Sequence, residues 1–453
     1  DNYDHDIDQF MYFGSRLLHG ELLWTKEFDD KSPVLQYIFS LPAAFKNTSI
    51  FVLITLIVSL IATYLGYLML KDILRNSSLN IDKKGEGSIL YFGSILYLTL
   101  LVCIYGSLHH INAISASLCL ITISITYLNK KQKNNLLTNA SAITSAISIS
   151  IRPYYLLNII VLPIWISIRE SKSKASERRG GKAREYFRYI KNQTSWILMI
   201  IFYIILFNIT PYIMSGNLSD FFYGIKLNSV DYVNHNIFHR QYINIGRNPI
   251  LYPILIGMIA LPITRIFFGK LIYKNHLKVE NGLKNLYKID IDIIFFGIIN
   301  PILLEIMFYR KHFFGHYFTL FSPYALISII LLMGIFTRLD KSIANFFILK
   351  NTIKSIFILL LITCLITNQS IPNAIKEIFN KKSSTKSYKL ELIKDFITQE
   401  KTENGNIGFL VPNNNYIHWK LNESRHGFPQ KAVFRNISEG KMDIISKNEN
   451  SLN

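Results

Sequence analysis

Long apolar runs recur along this chain, and they limit its fold more tightly than any other feature. A helix needs roughly 20 apolar residues to cross the hydrocarbon core of a bilayer. Runs of that kind cover Ile50–Leu70, Ser88–Leu108, Ile111–Leu128, Thr194–Met214, Ile250–Gly269, Ile291–Phe308, Phe318–Phe336 and Ser355–Thr367. Between Leu136 and Ile168 two shorter runs are split by Arg152-Pro153. Proline cannot continue helical hydrogen bonding, so this pair is expected to turn at that point. The pattern predicts an all-α polytopic membrane protein of about ten or more spans. Composition agrees: half the residues are hydrophobic and only 17% are charged, as in membrane bundles rather than globular domains. The three cysteines, Cys103, Cys119 and Cys364, all fall inside apolar runs, which predicts neither a disulfide framework nor a metal site. The chain opens at Asp1 without a methionine, so a further hydrophobic segment upstream is compatible with it.

The net charge of +19 would suggest nucleic acid in a soluble protein. Its distribution points elsewhere. The alternate loops Leu70–Ser88, Asn129–Leu136, Arg169–Gln193, Lys270–Asp290 and Thr337–Lys354 hold 25 of the 49 Lys and Arg residues, nine of them in the third. The opposite loops, residues 1–49 included, hold ten. The positive-inside rule therefore puts the first set in the cytoplasm and the acidic opening outside; no nucleic-acid partner is expected. Three regions follow: an outside loop over residues 1–49, a bundle over 50–367, and a polar outside segment over 368–453 that would form a small module. A second outside loop, Ser215–Pro249, is also long, and long ordered loops commonly carry function.

The opening stretch, DNYDHDIDQFMYFGSRLLHG, packs Asp1, Asp4, Asp6 and Asp8 ahead of an amphipathic segment. Ile7, Phe10, Met11, Phe13, Leu17 and Leu18 recur at helical spacing, which predicts a helix lying in the membrane interface. Acids at its start suit the helix dipole, so capping and solvation account for them on local chemistry alone. Adjacent histidines such as His109-His110 point to different faces of a helix and read as turn residues rather than ligands. Glu305, late in its run, is expected to pair with Arg310 or Lys311.

Acid, then F-M-Y-F-G-x-R-L-L-x-G, then an aspartate pair with Lys and Pro, resembles the first outside loop of GT-C class membrane glycosyltransferases. The similarity is to the branch containing protein O-mannosyltransferases and lipid A aminoarabinose transferases. The counterparts of that family's pattern are Asp6 or Asp8, the stretch from Tyr12 to Gly20, and Asp29-Asp30-Lys31-Ser32-Pro33. The usual adjacent Asp-Glu pair is replaced by Asp6-Ile7-Asp8, and spacing back from Phe10 favours Asp6. Ile151-Arg152-Pro153 resembles the R-P turn between middle helices of the class. Arg310-Lys311-His312, then Gly315-His316-Tyr317 and Pro323, resembles its outer-edge basic motif.

The resemblance implies a GT-C-like bundle acting on the extracytoplasmic face of a plasma or bacterial inner membrane. It would move a sugar from a polyprenyl-phosphate donor to a lipid, glycan or protein acceptor, with membrane lipids around it. Asp6 or Asp8 would take the acceptor's proton and stabilise positive charge on the sugar ring. Lys31, Arg152, Arg310, His312 and His316 are the candidates to hold the departing phosphate; the plainer reading of each is a cation snorkelling at a span end. A divalent cofactor is compatible with Asp29 and Asp30 but not required. Rival readings are a flippase of lipid-linked glycans, a glycan polymerase or ligase, and a scaffold without catalysis. In a transferase, Asp6 or Asp8 should share an outer cavity with Arg152, whereas a transporter would gather polar residues near mid-membrane.

Overall fold

The computed structural model describes residues 5–25, 31–75, 110–132, 134–174, 182–230, 291–308 and 315–339, and parts of a helical stretch between 87 and 101. No strand occurs among the described residues. The predicted runs at 250–269 and 355–367, and the whole 368–453 segment, lie outside them. The chain divides into two compact units. Among described residues, the first takes those up to Thr55 and from Ile204 to Val230; the second takes the rest.

In the first unit, α1 (His5–Leu18) packs along α2 (Val34–Ala44). Of the predicted apolar stripe of α1, Ile7, Phe10, Met11 and Phe13 are buried, Leu17 is half-buried and Leu18 is exposed. The helix predicted for the membrane interface is thus present, and α2 packs along the buried part of its stripe. Gly14 permits the contact, because a Cβ there would sit 2.4 Å from the Phe39 carbonyl oxygen. Phe39 in turn lies 5.1 Å from Phe10 and 4.3 Å from Phe51, ring centre to ring centre. Helix α1 stops at Gly20, whose φ of +80° is the left-handed conformation glycine adopts without steric cost.

Helix α3 (Ser49–Arg75) follows, and in the second unit come α4 (Ile111–Gln132), α5 (Asn135–Ile151) and α6 (Leu156–Lys174). Helix α3 and the stretch Ile111–Lys130 of α4 are each long and apolar enough to cross a membrane. Their surroundings differ. Leu56, Ile57, Leu60, Ile61 and Tyr64 of α3 are exposed, while α4 is buried nearly all round, through Ala113, Ala116, Cys119 and Ile123. Helices α4 and α5 form a hairpin joined by hydroxyl rungs: Ser115 to Ser148, Thr122 to Thr144 (2.9 Å), Thr126 to Ser141 (2.6 Å) and Asn129 to Thr138 (2.8 Å). Small polar side chains let two helices approach closely while satisfying one another.

The expected turn at Arg152-Pro153 is present. Arg152 is extended (φ −138°, ψ 95°), as a residue before proline must be, and Pro153–Tyr155 form one 3-10 turn leading into α6. The predicted span 194–214 is divided: α7 (Lys182–Asn208) gives way to a short α8 (Thr210–Met214), where Pro211 has no N–H to continue the ladder. Helix α9 (Leu218–Val230) lies in the second long loop. The run from Ile291 contains a π-turn at Phe295–Ile299 before α10 (Asn300–Phe308), and a 3-10 segment, Gly315–Phe321, precedes α11 (Ser322–Leu339).

Candidate functional site

Among its described residues the second unit holds two deeply buried arginines, one at each end. Trp165 and Arg169 of α6 meet Asp292, while Asn158, near the start of α6, meets Asn300. The segment from residue 291 therefore runs antiparallel to α6, and the rungs make α4 and α5 antiparallel as well. Residues Asp72, Tyr127, Lys130, Arg169 and Asp292 gather at one end, and His110, Asn112, Arg152 and Tyr317 at the other.

At the second of these ends, Arg152 is 5% exposed. Its Nε donates to Asn112 Oδ1 at 2.5 Å, and its Cζ lies 5.2 Å from the Tyr317 ring centre, a cation–π arrangement. Asn112 is held by its own N–H, which donates to His110 Nδ1 at 3.1 Å where α4 begins. Tyr154 closes edge-on against Tyr317 at 5.6 Å, and the Tyr155 hydroxyl donates to Leu320 O at 2.7 Å. The 3-10 turn, the start of α4 and the segment 315–321 are thereby locked together. Among the described residues no carboxylate pairs with Arg152.

The opposite end is neutralised. Arg169 Nε lies 3.0 Å from both oxygens of Asp292, a residue with no exposed surface. Trp165 Nε1 donates to Asp292 Oδ1 at 2.8 Å. Arg169 Nη1 donates to the Tyr127 hydroxyl (3.1 Å), which donates to Asp72 Oδ2 (2.9 Å). Lys130 stands over the Tyr127 ring. Two acids and two bases thus share one network.

Between the ends, Asn158 Nδ2 donates to the main-chain and side-chain oxygens of Asn300 (2.8 and 2.9 Å), and Asn300 Nδ2 donates to Phe295 O within the π-turn (2.8 Å). These amides satisfy backbone that the irregular turn leaves open.

Of the predicted site residues, Asp6 and Asp8 fall in the first turns of α1, with side chains outside the described residues. Tyr12 is buried and Pro33 stands at the entry to α2. Lys31 is half-buried just before it. Asp29, Asp30, Arg310, Lys311 and His312 lie outside the described residues, as does the side chain of His316, whose backbone sits in the 3-10 segment. Glu305 is exposed on α10. His110 is a turn residue, as its sequence suggests. No sequence signal points to Asn112, and Tyr317 stands out only as part of G-H-Y. Among the described residues no group of three or more His, Cys, Asp or Glu side chains could hold a metal ion.

No protein-family model, no curated protein and no solved structure matches this chain.

Proposed function

We propose that the chain is a multi-pass membrane glycosyltransferase that takes a sugar from a polyprenyl-phosphate donor on the extracytoplasmic face. The observation that carries this reading is Arg152: a buried guanidinium, rigidly positioned at a helix break, with no carboxylate partner among the described residues. Burying a charge without a partner is costly, and such a cost is retained where an anionic ligand supplies the missing charge. A phosphodiester at the membrane surface has the right sign. Helix ends that the loop charges assign to the cytoplasm collect around Arg169 and Asp292, and ends assigned to the outside collect around Arg152, which supports the expected topology. The exposed apolar side chains of α3 and α7, such as Ile57, Leu60, Leu198 and Phe202, suit lipid contact.

In this reading Asp6, with Asp8 as alternate, accepts the acceptor's proton as its oxygen or nitrogen attacks the anomeric carbon. The bond to phosphate breaks, and the leaving phosphate's charge is held by Arg152. Lys31, Arg310, His312 and His316 are further candidates for that phosphate. An ionised carboxylate facing the sugar also favours the cationic transition state.

A flippase of lipid-linked glycans is the second reading, favoured by the irregular helices at Pro153–Tyr155 and Phe295–Ile299 and the buried amide pair between them. Chemistry separates the two. Purified protein given polyprenyl-phosphate sugars and an envelope extract should release polyprenyl phosphate and yield a glycosylated product. Asp6→Asn or Asp8→Asn should abolish this. Full transfer by both variants removes the base role; donor translocation without bond cleavage selects the flippase.

A further inference from the structure

Helix α1, which carries Asp6 and Asp8, is held by more than its apolar stripe. Gln36 of α2 is 2% exposed, and both ends of its amide are used on backbone. Nε2 donates to Phe13 O (3.3 Å) and Glu21 O (3.4 Å), while Oε1 accepts the Leu23 N–H at 2.7 Å. Two of these three groups lie past Gly20, where the chain has left the helix and has no ladder to satisfy it. Gln36 takes the place of that missing neighbour.

The same stretch is gripped from its other side. The Tyr212 hydroxyl donates to Leu23 O. Trp24, held at φ +72°, packs 5.5 Å from Phe221 and 6.4 Å from Tyr212. Its indole lies so close to Gly224 that a Cβ there would come within 2.3 Å. A bulky residue at positive φ is strained, and such strain persists only where surroundings over-determine the conformation. Packing of Phe10 on Phe39 would bury α1 without any of this. Gln36 adds what packing lacks: it ties the last turns of α1 and the start of the loop toward Lys31 to one point on α2.

We infer that Gln36 is a positioning residue for the transfer reaction, fixing the pose of the acid-bearing helix through Phe13, Glu21 and Leu23. The inference rests on the transferase reading of Asp6 and Asp8. Misplacement of a reacting group by one ångström costs about 10²-fold in rate, so loosening this tie should lower kcat while leaving donor KM nearly unchanged.

The test compares wild type with Gln36→Leu, Gln36→Asn and Gln36→Glu in detergent, reading transfer kinetics and backbone hydrogen exchange together. Gln36→Leu should expose the Leu23 amide to exchange about tenfold faster or more and lower kcat by roughly 10- to 10²-fold. Gln36→Asn, one methylene shorter, gives the same reading should the leucine variant fail to fold. Gln36→Glu supplies a signature that general loosening cannot. A buried carboxyl facing two carbonyls donates only when protonated, so its kcat relative to wild type should climb as pH falls from about 8 to about 6. Faster exchange with unchanged kcat in the leucine or asparagine variant, or a flat pH ratio in the glutamate variant, overturns the inference and leaves the transferase reading intact. Wild-type protein that transfers no sugar from any donor overturns both.

Discussion

Arg152 and Arg169 are buried to the same extent, 5% exposed each, in the same helical unit, and yet their surroundings differ in kind. Arg169 faces Asp292, with Trp165, Tyr127 and Asp72 completing the network. Arg152 faces an amide and an aromatic ring. Asn112 and Tyr317 fix the direction of the guanidinium without cancelling its charge. A carboxylate partner or an apolar side chain would hold the turn at lower cost. Among the described residues, one end of the unit is closed electrostatically and the other carries a buried charge with no carboxylate beside it, the charge that in the proposed function receives a phosphate.

The contrast can be broken by substitution. The largest effect is expected from Asp292→Leu, which strands Arg169 in the interior. Unfolding in detergent should be easier by about 3–5 kcal/mol, the usual cost of breaking a buried pair. Arg152→Met should do the reverse of this in kind. Stability should hold or rise by about 1 kcal/mol as an uncompensated charge is removed, while kcat/KM for sugar transfer falls by about 10²-fold or more. Equal loss of stability at both sites would mean that the two arginines do the same job. Joining Arg169→Met to Asp292→Leu should recover most of the stability lost in the single variant, since replacing a whole buried pair by apolar groups is often neutral; a thermal melt of the double variant checks this. The smallest effect lies between the two ends. Thr122→Val removes a rung of the α4–α5 hairpin and should cost about 0.6 kcal/mol, with transfer unchanged.

Much of the second unit was legible in the sequence. Continuous apolar runs marked α3, α4 and α6, Pro153 marked the turn, and the loop charges sorted the helix ends into the two sets that the structure brings together. What was not legible is long-range pairing of neutral polar residues. Asn112 meets Arg152 across 40 positions, and Asn158 meets Asn300 across 142. An asparagine's sequence neighbours carry no mark of which distant group it will satisfy. Helix α2 escaped notice for a related reason. Its segment is short and contains Pro42, and only the covered stripe of α1 shows why it is a helix. The stripe itself marked a face to be buried, but hydrophobicity does not say by what. Arg152 was marked by its place before proline, whereas its lack of a carboxylate partner among the described residues could come only from the fold.

The most direct test of the account is binding of polyprenyl phosphate, without sugar, to the purified protein in detergent, followed by the rise in its melting temperature. Wild type and the Arg169→Met/Asp292→Leu double variant should bind alike, and Arg152→Met should bind about tenfold more weakly or worse. Equal affinity in all three would contradict the claim that Arg152 is kept for a lipid-linked phosphate.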